Sequence, residues 1–281
     1  MDARKAITVF LLLTIWSTIA ESQELNTILM ESTFRIHGPA KTDPKNKIFF
    51  GTAFVVARPI PTSPGRGYAV MVTAAHVLDG IAGDEAILLL REKQADNIFK
   101  AHPFRLKIRN EGKDLFVRHQ DADVAAMYIS VPEVANFSPV LVDFFANDDV
   151  IKKYEIHPGD ELFCLGFPLY TSANDAGFPI LRGGKIASYP LTPARSIKQF
   201  LFDFTVFKGN SGGPVYLVSS IRAYGGTRSI EPLQYIMGLI TELGFSSVPE
   251  FRDKPLNIGV VVPSQFILET IELLPPSPSL R

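Results

Sequence analysis

The stretch Lys208-Gly209-Asn210-Ser211-Gly212-Gly213-Pro214-Val215 decides how the rest of the chain is interpreted. A serine hydroxyl is a poor nucleophile unless a neighbouring base takes its proton, and acyl transfer also needs donors aimed at the oxyanion that forms. Glycines on both sides of Ser211 allow positive φ and a tight loop, which turns the amides of Gly209 and Ser211 toward one point. The pattern therefore indicates a nucleophile loop, and its alternative is an ordinary glycine-rich turn.

A histidine follows an apolar strand upstream, in Met71-Val72-Thr73-Ala74-Ala75-His76-Val77-Leu78. A general base must approach the serine closely, and the small alanines let the backbone pack while the imidazole faces a cleft. A lone histidine after a strand is usually a polar residue at the edge of a core, but the serine motif downstream favours His76 as a general base. The other histidines lack such a setting and are interpreted as surface or loop residues: His37, His102, His119 and His157.

Two aspartates compete for a third role in Asp121-Ala122-Asp123-Val124-Ala125-Ala126-Met127-Tyr128-Ile129. An acid at the mouth of an apolar strand accepts the far N–H of an imidazole, which fixes the tautomer and stabilises the imidazolium that forms. Asp123 directly precedes the strand and is preferred, whereas Asp121 is also explained as a solvated turn or cap residue. The order His76, Asp123, Ser211 predicts a reaction centre at the interface of two lobes.

The composition is that of an ordinary folded protein. The chain has 281 residues, of which 46% are hydrophobic and 20% charged, with a formal net charge of -1. These values fit one compact unit or two lobes that share a cleft, argue against a disordered or fibrous chain, and show no preference for nucleic acid. Short apolar runs bounded by Gly, Pro, Asn and Asp predict an all-β fold, and helical spacing over Pro263 to Leu274 predicts a C-terminal helix.

The N-terminus predicts a secretory signal peptide. Arg4 and Lys5 precede an apolar run from Ala6 to Ala20, and Thr18 and Ala20 are small residues before a cleavage site. The run of about fifteen residues is shorter than the roughly twenty that span a bilayer, although an uncleaved anchor stays open as an alternative. We therefore expect residues 1–20 to be removed near Ala20, which leaves a secreted or periplasmic protein with no membrane span.

Cys164 is the single cysteine, so no intramolecular disulfide forms. An exported protein of this size without disulfides indicates a bacterial envelope or extracellular protein. The apolar, strand-like surroundings of Cys164 predict a buried inert thiol rather than a nucleophile.

The three segments together resemble the trypsin-like, chymotrypsin-fold serine peptidases of the PA clan, and most closely their HtrA/Deg-type bacterial branch. The matching motifs are the histidine motif Thr73-Ala74-Ala75-His76, the aspartate motif Asp123-Val124-Ala125, the serine motif Gly209-Asn210-Ser211-Gly212-Gly213-Pro214, the early strand Gly51-Thr52-Ala53-Phe54-Val55-Val56 and the last strand Gly259-Val260-Val261-Val262-Pro263-Ser264. The resemblance covers about residues 30–272 and implies two six-stranded antiparallel β-barrels with a C-terminal helix. In this scheme the N-lobe is about 30–131, the connection about 132–160 and the C-lobe about 161–272, and residues 275–281 are expected to form a disordered tail.

The resemblance implies a serine endopeptidase that hydrolyses polypeptides through an acyl-enzyme, without a metal or organic cofactor. It assigns Ser211 as nucleophile, His76 as general base and Asp123 as the residue that orients the base. The backbone N–H groups of Gly209 and Ser211 form the oxyanion hole. Asn210 stands where digestive trypsins have an aspartate, so activation by a freed N-terminal amine is not expected, and neither is the PDZ domain of HtrA proteins.

The resemblance also implies a specificity pocket. Its floor is Thr205, which offers no carboxylate to a substrate Arg or Lys, and Thr241 and Gly259 line it from the strands beyond. A small or medium apolar substrate side chain is therefore expected, with Asp203 and Glu242 as residues that would add polarity unless they are plain surface residues. The alternative functions are a catalytically silent protein that binds peptides or partners on the same fold, and an esterase-type acyl hydrolase; the sequence leaves the oligomeric state open.

Overall fold

The computed structural model describes residues 13–14, 24–135, 137–245 and 255–278. The predicted signal peptide thus lies outside the described residues apart from Leu13 and Thr14, and so do residues 279–281 of the predicted tail. Within the described ranges, no helix is both long and apolar enough to cross a membrane.

The first half of the chain folds mainly into one nine-stranded sheet. Its strands are β1 (Leu13–Thr14), β2 (Thr33–Ala40), β3 (Asp43–Pro59), β4 (Arg66–Thr73), β5 (Glu85–Ala95), β6 (Ile98–Lys107), β9 (Val117–Arg118), β10 (Ala125–Tyr128) and β11 (Val140–Leu141). Between β6 and β9, the strands β7 (Arg109–Asn110) and β8 (Lys113–Asp114) form a separate hairpin. The main path runs β6-β5-β2-β3-β4-β10-β9, with β1 beside β4 and β11 parallel to β3. The β3 strand lies at the centre of this path, and residues 51–57 are buried on both faces, which explains their uninterrupted apolar pattern.

The second half forms a closed six-stranded barrel. Its strands are β12 (Glu161–Gly166), β13 (Ile180–Ile186), β14 (Phe200–Asp203), β15 (Pro214–Ser219), β18 (Leu233–Phe245) and β19 (Pro255–Pro263), while β16 (Ala223–Tyr224) and β17 (Thr227–Arg228) form a separate hairpin. The strands close in the order β12-β13-β14-β19-β18-β15, and every pair is antiparallel. A core of inward-facing side chains, among them Cys164, Phe202 and Val261, fills this barrel.

The described residues also form five short helices: α1 (Leu25–Ser32), α2 (Ala75–Gly80), α3 (Asp148–Lys153), α4 (Ala194–Ile197) and α5 (Ser264–Glu272). Two 3₁₀ turns lie at Val142–Phe144 and Pro168–Tyr170. The predicted C-terminal helix is α5, whose Phe266, Ile267 and Ile271 are buried. These side chains join the core of the first sheet rather than that of the barrel that precedes them in sequence. Because α5 crosses to the other lobe, it ties the two halves of the chain together.

The prediction of an all-β fold with a six-stranded antiparallel barrel and a C-terminal helix is confirmed. The first sheet is larger than the six strands expected. In the part of the chain that the structure describes, its path has two ends, β6 and β9, instead of forming a ring.

The segment between the two sheets contains the short helix α3 (Asp148–Lys153). Asn147 caps α3, because its side-chain oxygen accepts the amide of Val150 at 2.9 Å. Beyond α5, the carbonyl of Pro275 accepts hydrogen bonds from Arg58 and Tyr128, at 2.8 and 2.6 Å. The first residue of the predicted tail is therefore attached to the first sheet.

Candidate active site

His76 and Asp123 form a tight pair at the end of two neighbouring strands. His76 is the second residue of α2, directly after β4, and Asp123 precedes β10, which pairs with β4. The Oδ2 atom of Asp123 lies 2.5 Å from Nδ1 of His76, and its Oδ1 accepts the backbone N–H of His76 at 2.9 Å. Both carboxylate oxygens thus bind one residue, which orients the ring and leaves Nε2 as the nitrogen available to accept a proton.

The electrostatics of this pair keep the carboxyl ionised. Burial by itself raises the pKa of Asp123, but the hydrogen bonds and charge of His76 and the backbone amide of Ala75 outweigh it, so the pKa is lowered. The side chains of His76 and Asp123 are 41% and 32% exposed. The ionised Asp123 is therefore hydrogen-bonded to a His76 side chain that is accessible to solvent.

Asp121, the competing aspartate, lies away from the histidine. Its carboxylate is 61% exposed, and its ion-pair partner is Nζ of Lys198 at 3.9 Å. Its backbone amide donates to Nδ1 of His119 at 3.0 Å. Of the two candidates, only Asp123 contacts His76.

Ser211 lies beside the histidine turn, but its hydroxyl points elsewhere. A methyl group placed on Gly51 would lie 2.6 Å from Cγ2 of Val77, the residue after His76, and 3.1 Å from the carbonyl oxygen of Ser211. The Ser211 hydroxyl donates to the carbonyl of Thr241 at 2.9 Å. Among the described residues, no hydrogen bond joins Ser211 to His76.

The loop around Ser211 leaves two amides without acceptors. The amides of Asn210, Gly212 and Gly213 donate to the carbonyls of Phe207, Ile240 and Asn210. Within the described ranges, the amides of Gly209 and Ser211 have no hydrogen-bond acceptor. Since buried backbone donors are nearly always paired, these two unpaired donors are free to donate to an external partner such as an oxyanion.

Glycine is required at position 209. Its φ is 98°, and a Cβ there would lie 2.2 Å from the carbonyl oxygen of Phe167. The neighbouring Asn210 is buried, and its side-chain oxygen has no partner among the residues that are described. The sequence motif thus corresponds to a loop that only a glycine at this point permits.

The predicted specificity residues lie where three strands of the barrel meet. Gly259 faces buried apolar side chains, because a Cβ there would lie 3.0 Å from Val206, 3.2 Å from Ile240 and 3.4 Å from Phe204. The carbonyl of Thr205 accepts a hydrogen bond from Nη1 of Arg182 at 2.6 Å. A side chain at position 259 would therefore meet apolar neighbours at close range.

Of the remaining predicted side chains, that of Glu242 lies outside the described residues, and those of Asp203 and Cys164 are described. Asp203 ends β14 and is exposed. Cys164 is 1% exposed in the barrel core, and burial raises the pKa of its thiol to about 12. The thiol is thus protonated and enclosed, as an inert core residue would be.

The sequence did not predict the residues that bind the backbone carbonyls of the Ser211 loop or support that contact. These are Thr52, Arg35 and the turn Phe167–Tyr170, all hydrogen-bonded to the serine loop or to each other. Thr52 lies in the early strand motif, but nothing in that pattern predicts where its hydroxyl points. Within the described residues, no cluster of three or more His, Cys, Asp or Glu side chains is placed to hold a metal ion.

Comparisons with known proteins establish no family for the chain. No protein-family model matches it, and no curated protein does. Solved structures that it resembles include the thermostable serine protease AL20 from an extremophilic microorganism, with a TM-score of 0.45, 11% identity, and 86% of this chain and 95% of that chain covered. For the protease Anisep from Arthrobacter nicotinovorans the TM-score is 0.46 and the identity 12%, with 86% of this chain and 94% of that chain covered. For the apo MamO protease domain from Magnetospirillum magneticum the TM-score is 0.47 and the identity 14%, with 89% of this chain and 100% of that chain covered.

Proposed function

We propose that the protein is a serine endopeptidase that hydrolyses peptide bonds through an acyl-enzyme. Ser211 attacks the scissile carbonyl, His76 takes and returns the proton, and Asp123 holds His76 in the reactive tautomer. The two unpaired amides, of Gly209 and Ser211, bind the oxyanion. The observation that carries the proposal is this pair of free donors beside a serine whose backbone lies near Val77, the residue that follows an oriented histidine.

The first step of the reaction requires one rotation. In the resting arrangement the Ser211 hydroxyl is bonded to the Thr241 carbonyl, so rotation about its Cα–Cβ bond must bring the oxygen to Nε2 of His76. Proton transfer to Nε2 then creates an imidazolium, which the ionised Asp123 stabilises. Collapse of the tetrahedral intermediate breaks the C–N bond, and the proton on Nε2 passes to the leaving amine.

A fluorophosphonate tests this function directly, because it reacts with a serine only when the base and the oxyanion donors are in place. We expect covalent labelling of the purified protein at Ser211, located by peptide mass mapping. Ser211→Ala and His76→Ala should remove the label. A matched control is Ser219→Ala, because Ser219 ends β15 and its hydroxyl donates to the carbonyl of Ile221, outside the site.

One observation favours the alternative of a catalytically silent binding protein, namely the bond from Ser211 to Thr241 rather than to His76. Absence of fluorophosphonate labelling, together with retained binding of extended peptides, would support that alternative. Labelling with turnover of esters but not of peptides would instead identify an esterase-type hydrolase.

We also propose that the primary pocket accepts small apolar side chains, since the apolar side chains of Val206 and Ile240 lie 3.0 and 3.2 Å from where a Cβ on Gly259 would be. A profile of cleavage sites from a peptide library tests this preference. Val206→Ala should widen the pocket and move the profile toward larger apolar residues at the cleaved position. A wild-type preference for Arg or Lys would contradict the proposal.

The proposed site of action is outside the cytoplasm of a bacterium, after removal of residues 1–20. N-terminal sequencing of the protein recovered from the periplasm or medium of an expressing bacterium tests this. We expect the mature chain to begin at Glu21, and a chain that begins at Met1 or Asp2 would contradict it.

A further inference from the structure

Two successive carbonyls of the oxyanion loop, defined here as Lys208 to Gly213, are held from different lobes. The Lys208 carbonyl accepts the amide of Leu169 at 2.8 Å, and the Gly209 carbonyl accepts the hydroxyl of Thr52 at 2.6 Å. In a planar trans peptide, the N–H points away from the carbonyl of the same unit. Holding the Lys208 carbonyl toward Leu169 therefore directs the Gly209 N–H to the opposite side.

Thr52, on β3 of the first sheet, makes two hydrogen bonds to the oxyanion loop. Its hydroxyl binds the Gly209 carbonyl, and its backbone amide donates to the Ser211 carbonyl at 2.8 Å. Thr52 is fully buried, and its own carbonyl accepts the Thr73 hydroxyl at 2.6 Å. One residue thus fixes the carbonyls of the two residues whose amides are free.

Leu169 makes its contact from a backbone conformation that needs support. Leu169 and Tyr170 have φ values of 51° and 68°, in the left-handed region that side chains other than glycine rarely adopt. Arg35, on β2, supplies that support, because its Nη1 donates to the Tyr170 carbonyl at 2.8 Å. Its guanidinium also lies 3.8 Å from the centre of the Tyr170 ring.

The Tyr170 ring fills the space between this turn and the first sheet. Its centre is 5.3 Å from that of His37 and 5.2 Å from that of Phe50, both in edge-to-face contact. Phe50 in turn lies against the oxyanion loop, since a Cβ on Gly209 would be 2.7 Å from its Cε2 atom. The turn, the first sheet and the loop therefore pack as one unit.

We propose that Thr52 and Arg35 are positioning residues for the oxyanion hole. Arg35 supports the Lys208–Gly209 peptide, which carries the Gly209 N–H, by way of the turn at Leu169. Thr52 holds the next peptide through the Gly209 carbonyl, so Gly209 is fixed on both sides. This inference rests on the proposed function. Neither side chain touches the reacting atoms, so both act through backbone groups of the second lobe.

Thr52→Val is the sharpest test, because it removes the hydroxyl and keeps the shape. An oxyanion donor displaced by a fraction of an ångström is expected to cost about 10- to 100-fold in kcat, with little change in KM. Thr52→Ser keeps the hydroxyl and should restore most of the lost rate. Thr270→Val is the matched control, because Thr270 is equally buried and its hydroxyl donates to the Phe266 carbonyl at 2.6 Å, within α5.

Arg35→Met is a second, independent variant, for which we expect a kcat loss of about 10-fold. A peptide aldehyde separates positioning from mere stability, because it forms a tetrahedral adduct that needs the oxyanion hole. Its Ki should rise in both variants by the factor that kcat/KM falls, while the Ki of the corresponding peptide alcohol stays constant.

The outcomes of these experiments separate the two proposals. If the wild type cleaves peptides but Thr52→Val and Arg35→Met keep its kcat and aldehyde affinity, the positioning role is wrong and the endopeptidase stands. The same holds if Thr52→Ser loses as much activity as Thr52→Val. If the wild type neither cleaves peptides nor reacts with the fluorophosphonate, the proposed function itself is wrong, and the positioning role falls with it.

Discussion

At the scale of single residues, the most informative comparison is between two aspartates separated by one alanine. Asp123 binds the ring and the backbone of His76, whereas the carboxylate of Asp121 lies mostly in solvent. The difference arises because only Asp123 sits where β10 begins, next to the end of β4. Two residues that look similar in the sequence therefore have different surroundings.

Asp123→Asn should lower kcat by about 10³- to 10⁴-fold, because an amide neither holds the correct tautomer of His76 nor stabilises its charge. Asp121→Asn should change kcat by less than about twofold, since an exposed ion pair contributes little. Steady-state kinetics on the best library peptide measure both. Equal losses in the two variants would contradict the assignment.

His37 predicts how stability depends on pH. Burial, and secondly the charge of Arg35, lower its pKa from 6.5 to about 4. The unfolded chain thus binds a proton between pH 6.5 and about 4 that the folded protein does not, so stability falls as the pH falls through this window. The slope from this group is at most ~1.4 kcal/mol per pH unit.

Urea unfolding at several pH values between 4 and 7 measures this slope. His37→Gln, which does not titrate, should flatten the profile in this window. His102→Gln is the matched control, because His102 lies on β6, on a different strand from His37 and Arg35. Identical profiles for wild type and His37→Gln would show that His37 is not the group responsible.

At the scale of elements, Arg91 joins three pieces of the fold. It is 1% exposed on β5 and donates to the carbonyls of Met30 and Glu31 in α1, of Thr33 in β2 and of Gly177 in the loop before β13. Its guanidinium lies 4.5 and 4.4 Å from the ring centres of Phe34 and Phe178. Burial lowers the pKa of Arg91 to about 9, so it stays charged at neutral pH.

Arg91→Leu should destabilise the protein by about 3 kcal/mol or more, because several buried carbonyls lose their donor at once. Arg105→Leu, on the adjacent strand β6, removes an exposed ion pair to Glu85 and should cost less than about 1 kcal/mol. Urea denaturation compares the two variants. A loss of less than about 1 kcal/mol in Arg91→Leu would contradict a clamping role.

Elements were predicted to different degrees. Apolar spacing predicted α5 because helical periodicity is a property of neighbouring residues in one segment, here Phe266, Ile267 and Ile271. The lobe on which α5 packs was not predictable, because its apolar face fits either core. The path of the first sheet was also not predictable, since strand order depends on pairing between distant segments.

At the scale of the whole molecule, Cys164 reports on the closed barrel. The thiol lies in the barrel core with a pKa raised to about 12, so a thiol reagent reaches it only when the barrel opens. We expect native protein to resist labelling and the labelled fraction to follow the unfolding curve in urea.

The control for this experiment is Cys164→Ser combined with Ile230→Cys, because Ile230 is 99% exposed. This cysteine should react at the rate of a free thiol without denaturant. If Cys164 in native buffer reacted as fast as the cysteine of Ile230→Cys, the barrel would open more easily than its closed ring of paired strands indicates.

The sequence by itself determined the all-β class and the C-terminal helix, and it supplied the candidate side chains for the proposed chemistry, because spacing along a segment and residue type are local properties. Only the tertiary structure showed that Asp123 rather than Asp121 meets His76, that the Ser211 hydroxyl rests on Thr241, and that two amides of the loop are free. It also placed Thr52 and Leu169 behind that loop. These contacts join segments that are far apart in the chain. Most of them are made by backbone N–H and C=O groups, which are nearly the same in every residue, so the order of side chains does not predict them.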